Sequence, residues 1–427
     1  MTFGPPRGMR DFYPEEMRIR NKIFTAWRQA AQMYGFEEYD APVVETEELL
    51  TRKGGEEIVQ QIYNFTDKSD RRLALRPEMT PSLARMVIAK QKQLTYPLKW
   101  FCTPQCFRYE RMTKGRKREH YQWNLDIVGP ESLLAEAEVL GTAITALKIL
   151  GLDESHYRVR LGSRALLAEL FSKSGLADEH FMPVCLVLDK MGKISEEEIR
   201  KLLTEEKLVD AEIDKVLELM QISNIDDAAR YLGGSSPNVD AVQELLRIMT
   251  AANMAQYIEF DISIIRGLSY YTGMVFEAFD TQGKFRAIFG GGRYNNLLSS
   301  LGGETMPCVG LGFGDVVVTE LLLALNKLDD VNQSGNIIIG YMTPAEQQFA
   351  LRIATLLRSH NNEVNLALEP EKAKKLFSRA NKISAQNVIY IGPSEAEQQT
   401  VNIKNMSSGE QQTVSLAQLE KGEFTIV

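Results

Sequence analysis

The stretch that decides the fold reads FRYERMTKGRKREHYQWNLDIV and runs from Phe107 to Val128. Its first part holds six basic residues among the eleven from Arg108 to Arg118. In its second part, Tyr121–Val128, large apolar side chains alternate with polar ones, which is the period of a strand with one buried face. A polar loop that contains glycine, Met112–Glu119, joins the two parts. This pattern predicts a hairpin that carries a cluster of positive charge at its tip.

Helices and strands surround this hairpin without a regular alternation. Apolar residues at helical spacing predict helices over Met17–Tyr34 and Leu133–Leu150. Short extended segments predict strands at Glu38–Glu45, Arg72–Arg76, Leu98–Arg108, Ile258–Ile265, Met274–Phe279 and Phe285–Phe289. Charged helix formers dominate Glu196–Asn253, which predicts a helical insertion at about residues 170–253.

In the last part of the chain, the predicted strands and helices alternate regularly. Strand, helix, strand, helix and strand are predicted in that order at Ile337–Ile339, Pro344–His360, Val364–Ala367, Lys372–Ala380 and Val388–Ile391. This alternation predicts a small separate α/β domain over residues 336–427. Polar residues at 329–335 predict a linker between it and a larger domain over residues 1–328.

Composition excludes several classes of protein. The chain has 427 residues, of which 44% are hydrophobic and 25% charged, as in globular proteins of about two to four domains. The net charge of −8 excludes a polybasic nucleic-acid binder but permits a local basic strip. Four scattered cysteines do not make a disulfide framework. No apolar run reaches the about 18 residues of a membrane span, and no signal peptide is apparent, so we expect a soluble cytoplasmic protein.

The basic stretch is a candidate phosphate site. Arg108 and Glu110 are two residues apart, so a strand would place them on one face beside the apolar Phe107. A buried arginine needs a partner, and a substrate phosphate with a neighbouring carboxylate would supply one. The loop then presents Arg116 and Arg118 for phosphates. The alternative is a solvated hairpin tip, and the charge run alone does not separate the two.

A second candidate site is the turn Leu75–Pro81. Its two prolines bracket Glu78 and Thr80, and a carboxylate beside a hydroxyl can bind an ammonium group. The same turn fits a helix start, with Thr80 as N-cap and a helix over Ser82–Ala89. Both interpretations hold together, because a cap would fix the position of the carboxylate.

The remaining motifs combine glycines with aromatic residues. In Ile264–Glu277, Arg266 is followed by Tyr270 and Tyr271, which point to opposite sides of an extended chain, so that one can line a pocket. An aromatic hairpin in the core is the alternative. The runs Phe289–Tyr294 and Gly310–Asp315 allow close approach to the backbone. The second lacks the spacing of a dinucleotide fingerprint, and neither a P-loop nor histidines at metal-binding spacing occur.

Together these segments resemble the histidyl-tRNA synthetase family of class II aminoacyl-tRNA synthetases. The resemblance covers nearly the whole chain. It rests on Arg7–Pro14, Pro42 in motif 1, Arg76–Thr80, Phe107–Gln122 in motif 2, Arg266–Glu277, Gly290–Tyr294, Gly310–Leu322 in motif 3, and the C-terminal Val401–Lys404 and Gly409–Gln411. The sequence FGDVV at Phe313–Val317 is similar to a subgroup that includes plant organellar and related bacterial enzymes.

The resemblance implies both fold and activity. It implies an α+β class II catalytic domain, an antiparallel sheet flanked by helices, followed by an α/β anticodon-binding domain. It also implies ATP-dependent activation of L-histidine to histidyl-adenylate and transfer to the 3′ end of tRNA(His). ATP and Mg²⁺ would be needed, with Mg²⁺ held through the ATP phosphates. The family is dimeric, so we expect a homodimer with an interface near Pro42 and no membrane partner.

The resemblance also implies roles for individual residues. Arg108 and Arg266 would be catalytic, because they place positive charge where the histidine carboxylate meets the α-phosphate. Histidine would be bound by Glu78, Thr80, Gln122, Asp126, Tyr270, Tyr271 and Tyr294. ATP would be bound by Arg108, Glu110, Arg116 and Arg118. The tRNA would be bound by Lys114, Arg116, Lys117, Lys372, Lys374 and Lys375.

Two positions depart from the family pattern. Asp126 stands where the family commonly has glutamate, so the imidazole contact is expected to run through a water molecule. Val317 stands where motif 3 usually has an arginine that covers ATP, and we expect Arg116 or Arg118 to compensate.

Two inactive relatives of the enzyme are the alternatives. One is the synthetase-like regulatory subunit of ATP phosphoribosyltransferase in histidine biosynthesis, and the other is a sensor of uncharged tRNA. The chain keeps Arg108, Arg266, the basic loop and the C-terminal domain, which favours the synthetase. Histidine-dependent exchange between ATP and pyrophosphate discriminates them.

Overall fold

The computed structural model describes residues 3–52, 56–113, 115–188, 190–191, 194–264, 271–328 and 334–424. The chain forms two compact units, Met1–Lys327 and Leu328–Val427. Within the described ranges, no helix combines the length and the apolar character that crossing a bilayer requires.

The first unit contains helices and strands in a mixed order. Its strands are β1 (Glu37–Glu38), β2 (Val44–Thr46), β3 (Tyr63–Thr66), β4 (Arg72–Leu75), β5 (Leu98–Cys102), β6 (Gln105–Phe107), β7 (Glu119–Val128), β8 (Tyr157–Ser163), β9 (Ile258–Phe260), β10 (Met274–Asp280), β11 (Phe289–Arg293) and β12 (Cys308–Gly314). Its helices are α1 (Pro14–Met33), α2 (Glu47–Thr51), α3 (Glu56–Gln61), α4 (Thr80–Lys90), α5 (Leu134–Ile149), α6 (Arg164–Lys173), α7 (Phe181–Leu188), α8 (Glu196–Glu205), α9 (Asp210–Leu219), α10 (Ile225–Leu232), α11 (Pro237–Ala251), α12 (Leu297–Ser300) and α13 (Asp315–Ala324).

A nine-stranded sheet organises this unit. Its strand order is β1-β5-β7-β12-β11-β10-β8-β9, and β6 pairs with β7. The central pairs are antiparallel, whereas β1–β5 and β8–β9 at the two edges are parallel. The predicted α+β class II fold is confirmed, with a sheet that is mixed rather than purely antiparallel.

One face of the sheet packs on helices α1 and α5. Trp123, Leu125 and Ile127 of β7 are buried, as their alternation predicts. Trp123 stacks on Trp27 of α1 with ring centroids 5.7 Å apart. Truncating one such buried tryptophan to alanine would cost about 3–5 kcal/mol. The even-numbered residues of β7 are also largely buried, so the other face of this strand is covered by protein as well.

Several strand predictions are wrong in whole or in part. The strand predicted at Leu98–Arg108 is divided into β5 and β6, and the one predicted at Ile258–Ile265 ends at Phe260. Glu38–Glu45 is not one edge strand, since β1 joins the main sheet and β2 joins a separate three-stranded sheet of order β2-β4-β3. The segment between them contains Pro42, which has no N–H for a strand ladder. Phe285–Phe289 is not a strand either, because Asp280 accepts hydrogen bonds from the backbone N–H groups of Lys284 and Phe285 and holds a loop there. The strand starts at Phe289 and runs through the glycines instead.

The predicted helical stretch Glu196–Asn253 contains α8, α9, α10 and α11. Serine and asparagine side chains begin three of these helices, because Ser195, Asn224 and Ser236 each accept a hydrogen bond from a backbone N–H of the first turn. Apolar residues such as Ile199 and Leu245 then bury one face of each helix.

The second unit is a five-stranded sheet with helices. Its elements are β13 (Ser334–Tyr341), α14 (Gln347–Ser359), β14 (Val364–Leu366), α15 (Ala373–Lys382), β15 (Ala385–Ile391), α16 (Pro393–Gln398), β16 (Thr400–Asn405), β17 (Gln411–Ser415) and α17 (Leu416–Lys421). The strand order is β14-β13-β15-β16-β17. The predicted alternation as far as Ile391 is confirmed, and its three strands are parallel. The antiparallel strands β16 and β17 add a second half that the sequence alternation did not predict.

Candidate active site

Glycines on one face of the main sheet form the floor of the candidate site. Gly310 of β12 lies opposite Asp126 of β7, and an ideal Cβ on Gly310 would lie 2.2 Å from Asp126 Oδ1 and 2.6 Å from the Leu125 carbonyl oxygen. A Cβ on Gly312 would lie 2.2 Å from Gln122 Nε2. The missing Cβ atoms leave room for the Asp126 and Gln122 side chains to lie across the sheet.

The glycine run of β11 continues this floor. Gly290 and Gly292 pair with Gly312 and Gly310, so four glycines on two neighbouring strands lie on the same face. Glu277 of β10 pairs with Gly290 and borders the floor on its far side. A flat floor without side chains allows a planar or charged ligand to lie close to the backbone.

The buried carboxyl group of Asp126 marks one end of the floor. Asp126 is 2% exposed, and the Tyr294 hydroxyl donates a hydrogen bond to its Oδ1. Its Oδ2 has no hydrogen-bond partner among the residues that the structure describes. Burial raises the pKa of Asp126 to about 7, although the hydrogen bond from Tyr294 opposes the rise. A buried acceptor oxygen without a partner indicates that a ligand donor completes it.

Aromatic side chains enclose this end of the floor. The Tyr271 ring is buried, and its centroid lies 6.4 Å from that of Tyr294. Tyr39, which sequence reasoning missed, lies here too, since burial and the neighbouring Cys102 and Asp126 raise its pKa well above the usual value. Its local sequence contains no signal for this role, because only the pairing of β1 with β5 brings it to the site. Tyr270 lies outside the described residues.

The turn before α4 carries the candidate ammonium site. Arg108 Nε donates a hydrogen bond to the Pro77 carbonyl oxygen at 2.9 Å, which brings the arginine beside Glu78. Burial raises the pKa of Glu78, and the positive charge of Arg108 opposes the rise. The prediction of Thr80 as N-cap is wrong, because Met79 occupies that position and Thr80 is the first helical residue.

Gln122 and His120 lie on the strand beside this turn. His120 Nε2 is 3.4 Å from Gln122 Oε1. Burial and the neighbouring Arg108 lower the pKa of His120 to about 3, so its ring is neutral at physiological pH. The cations of this region are therefore arginines and not His120.

Arg108 and Glu110 do not lie in a strand as predicted, because β6 ends at Phe107. The Glu110 N–H instead donates to the Arg108 carbonyl oxygen in a tight turn at 2.8 Å. This turn buries the Glu110 carboxylate, where Arg116 Nε lies 2.6 Å from Oε2 and Arg108 Nη1 lies 3.8 Å from Oε1. One carboxylate thus holds two arginines.

The other basic residues of the loop differ in their surroundings. The Arg118 guanidinium carbon lies 3.8 Å from the centroid of the Tyr109 ring, and Arg118 Nε donates to the Glu110 carbonyl oxygen. Lys117 is exposed. Lys114 lies outside the described residues. Arg118 is therefore engaged with the protein, whereas Lys117 faces solvent.

A buried charge network, also missed by sequence reasoning, positions the basic loop. Arg10 Nε lies 2.7 Å from Glu119 Oε1, and Arg10 Nη2 lies 3.0 Å from Asp315 Oδ2. The Tyr121 N–H donates to Asp315 Oδ1 at 2.9 Å. The N-terminal segment is thereby joined to β7 and to the start of α13. The sequence alone could not predict this network, because its three charged residues are far apart along the chain.

The structure does not test the predicted convergence of the two catalytic arginines. Arg108 lies at the site, as described above, but Arg266 lies outside the described residues. Their meeting at one reaction centre therefore stays a prediction.

The second unit presents its candidate tRNA-binding lysines on one helix. Lys372 is the N-cap residue of α15, and Lys374 and Lys375 follow in its first turn. All three are exposed. Arg379 of the same helix is paired with Glu371. These lysines therefore form a positive surface, and its role in tRNA binding stays a prediction.

Among the residues that the structure describes, the cysteines and acidic side chains are not arranged as a metal site. All four cysteines are buried and free. Burial raises the pKa of the Cys106 thiol to about 12, so that thiol is protonated. Within the described part of the chain, no three His, Cys, Asp or Glu side chains are grouped as metal ligands.

The chain is similar to known proteins over nearly its whole length. The family described as "Histidyl-tRNA synthetase" matches residues 8–314, and the family described as "Anticodon binding domain" matches residues 336–422. The chain is 44% identical to "Histidine--tRNA ligase, chloroplastic/mitochondrial" of Arabidopsis thaliana over 94% of its own length and 83% of that protein. It is 37% identical to "Histidine--tRNA ligase" of Opitutus terrae over 95% and 94% of the two chains.

The fold also matches a solved structure. The "histidyl-tRNA synthetase from Nostoc sp. PCC 7120" superposes with a TM-score of 0.83 and 24% identity, and 99% of each chain is covered. The similarity to a plant organellar relative confirms the subgroup resemblance, and the inactive alternatives are not favoured. By its match over most of the first unit and its identity to these relatives, the chain belongs to the histidyl-tRNA synthetase family.

Proposed function

We propose that this chain activates L-histidine with ATP and transfers the histidyl group to tRNA(His). The observation that carries the proposal is the glycine floor with two chemically different ends. One end has the buried Asp126 carboxyl group with a free oxygen, and the other has the arginines that share Glu110. The imidazole would lie at the Asp126 end, and the phosphates of ATP would lie at the arginines.

The Asp126 end would select histidine. Asp126 Oδ2 would accept a hydrogen bond from an imidazole N–H, directly or through a water molecule, while the Tyr294 hydroxyl fixes Oδ1. Tyr271 would line the same pocket, and Tyr270 is proposed for it from the resemblance. A side chain without a matching donor would leave this buried oxygen without a partner, so it would be rejected.

The histidine amino group would bind at Glu78, Thr80 and Gln122. Glu78 would supply the carboxylate; burial raises its pKa, and the positive charge of Arg108 limits that rise. The Gln122 side-chain oxygen, which lies 3.4 Å from His120 Nε2, would be a further acceptor. These contacts would turn the substrate carboxylate toward the arginines.

Activation joins two anions, so positive charge is its main requirement. A carboxylate oxygen of histidine attacks the α-phosphorus, a new oxygen–phosphorus bond forms, and the bond to the β-phosphate breaks to release pyrophosphate. Arg108 would bind the α-phosphate, Arg266 would stand beside it, and Arg116 and Arg118 are the proposed compensation for Val317. Glu110 would hold Arg108 and Arg116 in place, and Mg²⁺ would enter with ATP as part of the substrate.

The tRNA would contact both units. Lys114, Arg116 and Lys117 of the basic loop would approach the acceptor end. Lys372, Lys374 and Lys375 on α15 would contact phosphates of the anticodon stem. Support for the second contact is the exposure of the three lysines.

The experiment is histidine-dependent exchange of pyrophosphate into ATP, followed by charging of tRNA(His). We expect exchange with L-histidine, little with other amino acids, and formation of histidyl-tRNA. Binding of tRNA without exchange would contradict the proposal and would support the sensor function.

A homodimer is part of the proposal. Val43 and Val44, beside Pro42, expose apolar side chains, as does Phe65 of the same three-stranded sheet. Exposed apolar groups of this kind favour a protein interface. Light scattering should give about twice the chain mass of 48.2 kDa, and a monomer at all concentrations would contradict it.

The cytoplasmic location expected from the sequence stays a proposal. Cell fractionation tests it, and recovery in an organelle fraction would contradict it.

A further inference from the structure

A further arginine, Arg286, lies beside the basic loop and has no role in the proposed function. Arg286 belongs to the loop between β10 and β11, which leads directly into the glycine run of β11. An ideal Cβ on Gly115 would lie 3.6 Å from Arg286 Cδ and 3.5 Å from Val317 Cγ2. The stem of Arg286 therefore packs beside Val317 and against the tip of the basic loop.

The loop that carries Arg286 is held in place. Asp280, at the end of β10, accepts hydrogen bonds at 2.9 Å from the N–H groups of both Lys284 and Phe285. The Ile288 N–H donates to the Ala278 carbonyl oxygen at 2.7 Å and closes the loop on its other side. Arg286 is thus presented from a fixed backbone.

The charged head of Arg286 is not satisfied by the protein. Arg286 is exposed, and across the ranges that the structure describes it makes no hydrogen bond or ion pair. Partial burial lowers the pKa of Arg286, and the positive charge of Arg116 lowers it further. The negative charge of Glu110 raises it, so these three charged groups share one region. Glu110 is already 2.6 Å from Arg116, and Glu320 Oε1 accepts a hydrogen bond from the Gly115 N–H at 3.2 Å, so neither carboxylate is paired with Arg286. An anion between Arg116 and Arg286 would supply the missing negative charge.

We propose that Arg286 binds the terminal phosphates of ATP together with Arg116, beside Val317, where motif 3 of the family usually has its arginine. The inference rests on the proposed function, because it names the residue that completes the ATP site. The substrate would reach from the glycine floor to these two guanidinium groups. Arg286 thereby supplies, from a different element, the charge that α13 lacks.

The test is exchange kinetics of the full-length Arg286→Ala variant. Losing one charged hydrogen-bond donor should raise the KM for ATP about tenfold or more. The KM for histidine should stay within about twofold, because Asp126 and its neighbours are untouched. Arg286→Lys keeps a positive charge and should recover part of the loss. Lys284→Ala, in the same loop, is the matched control and should keep the KM for ATP.

Competition with AMP separates phosphate binding from a change in loop structure. AMP lacks the terminal phosphates, so its inhibition constant should be the same for Arg286→Ala and the unmodified protein. An unchanged KM for ATP, or an equal weakening of ATP and AMP, would overturn the inference. Absence of exchange in the unmodified protein would instead overturn the proposed function, and calorimetric titration with ATP and AMP would then decide the role of Arg286.

Discussion

At the scale of single residues, burial decides the chemistry of Asp126. A carboxyl group on the surface would be ionised at neutral pH, whereas burial raises the pKa of this one to about 7. The same carboxyl group both fills the space over Gly310 and offers its second oxygen to a ligand. Its protonation therefore links stability to ligand binding.

The stability of Asp126→Asn should differ from that of the unmodified protein in a pH-dependent way. The folded group titrates near 7 and the unfolded group near 3.8, so between these values only the folded state holds the proton. The stabilising effect of the protonated group is complete below the unfolded pKa and is lost as pH rises to 7. Relative to the variant, the free energy of unfolding should fall by up to about 1.4 kcal/mol per pH unit in that window.

Denaturant unfolding of both proteins from pH 4 to 8 measures this difference. The exposed Asp178→Asn serves as the control and should track the unmodified protein. If the difference in the free energy of unfolding between the two proteins did not change from pH 4 to 8, the Asp126 carboxyl group would be ionised throughout.

The proposed role of Arg116 in ATP binding can be tested separately from the role of its neighbour Lys117 in tRNA binding. Arg116→Ala removes the partner of buried Glu110 and one proposed phosphate ligand. We expect the KM for ATP in the exchange reaction to rise at least about tenfold. Lys117→Ala, in the same loop, should leave that KM unchanged and should raise the KM for tRNA in charging. An unchanged KM for ATP in Arg116→Ala would remove this arginine from the ATP site.

At the scale of elements, the glycines of β12 separate the two faces of the strand. Its apolar residues Leu311 and Phe313 face the helices, while Gly310 and Gly312 face the site. Alternation of large and absent side chains along one strand gives a packed core on one face and an open floor on the other.

Gly310→Ala should therefore disrupt the floor. The new Cβ would lie 2.2 Å from Asp126 Oδ1 and 2.6 Å from a backbone oxygen that cannot move freely. We expect destabilisation of about 1–3 kcal/mol in denaturant unfolding and a raised KM for histidine. Gly314→Ala, at the end of the same strand, is the control, because nothing lies within 4 Å of its Cβ position. Equal stabilities of the two variants would contradict the crowding.

At the scale of the whole molecule, the proposed activation site and the proposed anticodon-stem contact lie in different units. The candidate activation site lies within Met1–Lys327, while the lysines of α15 belong to Leu328–Val427. Activation of histidine should therefore not depend on those lysines.

Replacing Lys372, Lys374 and Lys375 together by alanine tests this separation. Each lost phosphate contact weakens tRNA binding and its salt dependence, so the KM for tRNA should rise about tenfold or more. Exchange without tRNA should be unchanged. Lys421→Ala, an exposed lysine of α17, is the control. An unchanged KM for tRNA in the triple variant would exclude this surface from tRNA binding.

Local sequence determined much of the fold. Helical spacing predicted α1, α5 and the insertion helices, and the alternation of Trp123, Leu125 and Ile127 predicted the central strand. These patterns are local, since a helix or a strand repeats its buried face within a few residues. The motifs also identified the family, which the comparisons confirmed.

The surroundings of the candidate site residues were decided by the tertiary structure alone. Tyr294 and Asp126 are 168 positions apart, and neither their hydrogen bond nor the raised pKa can be seen in either segment. The roles of Tyr39, Arg10 and Arg286 depend in the same way on strand pairing and loop closure. Burial and charge are sums over neighbours in space, and the chain order of those neighbours does not reveal them.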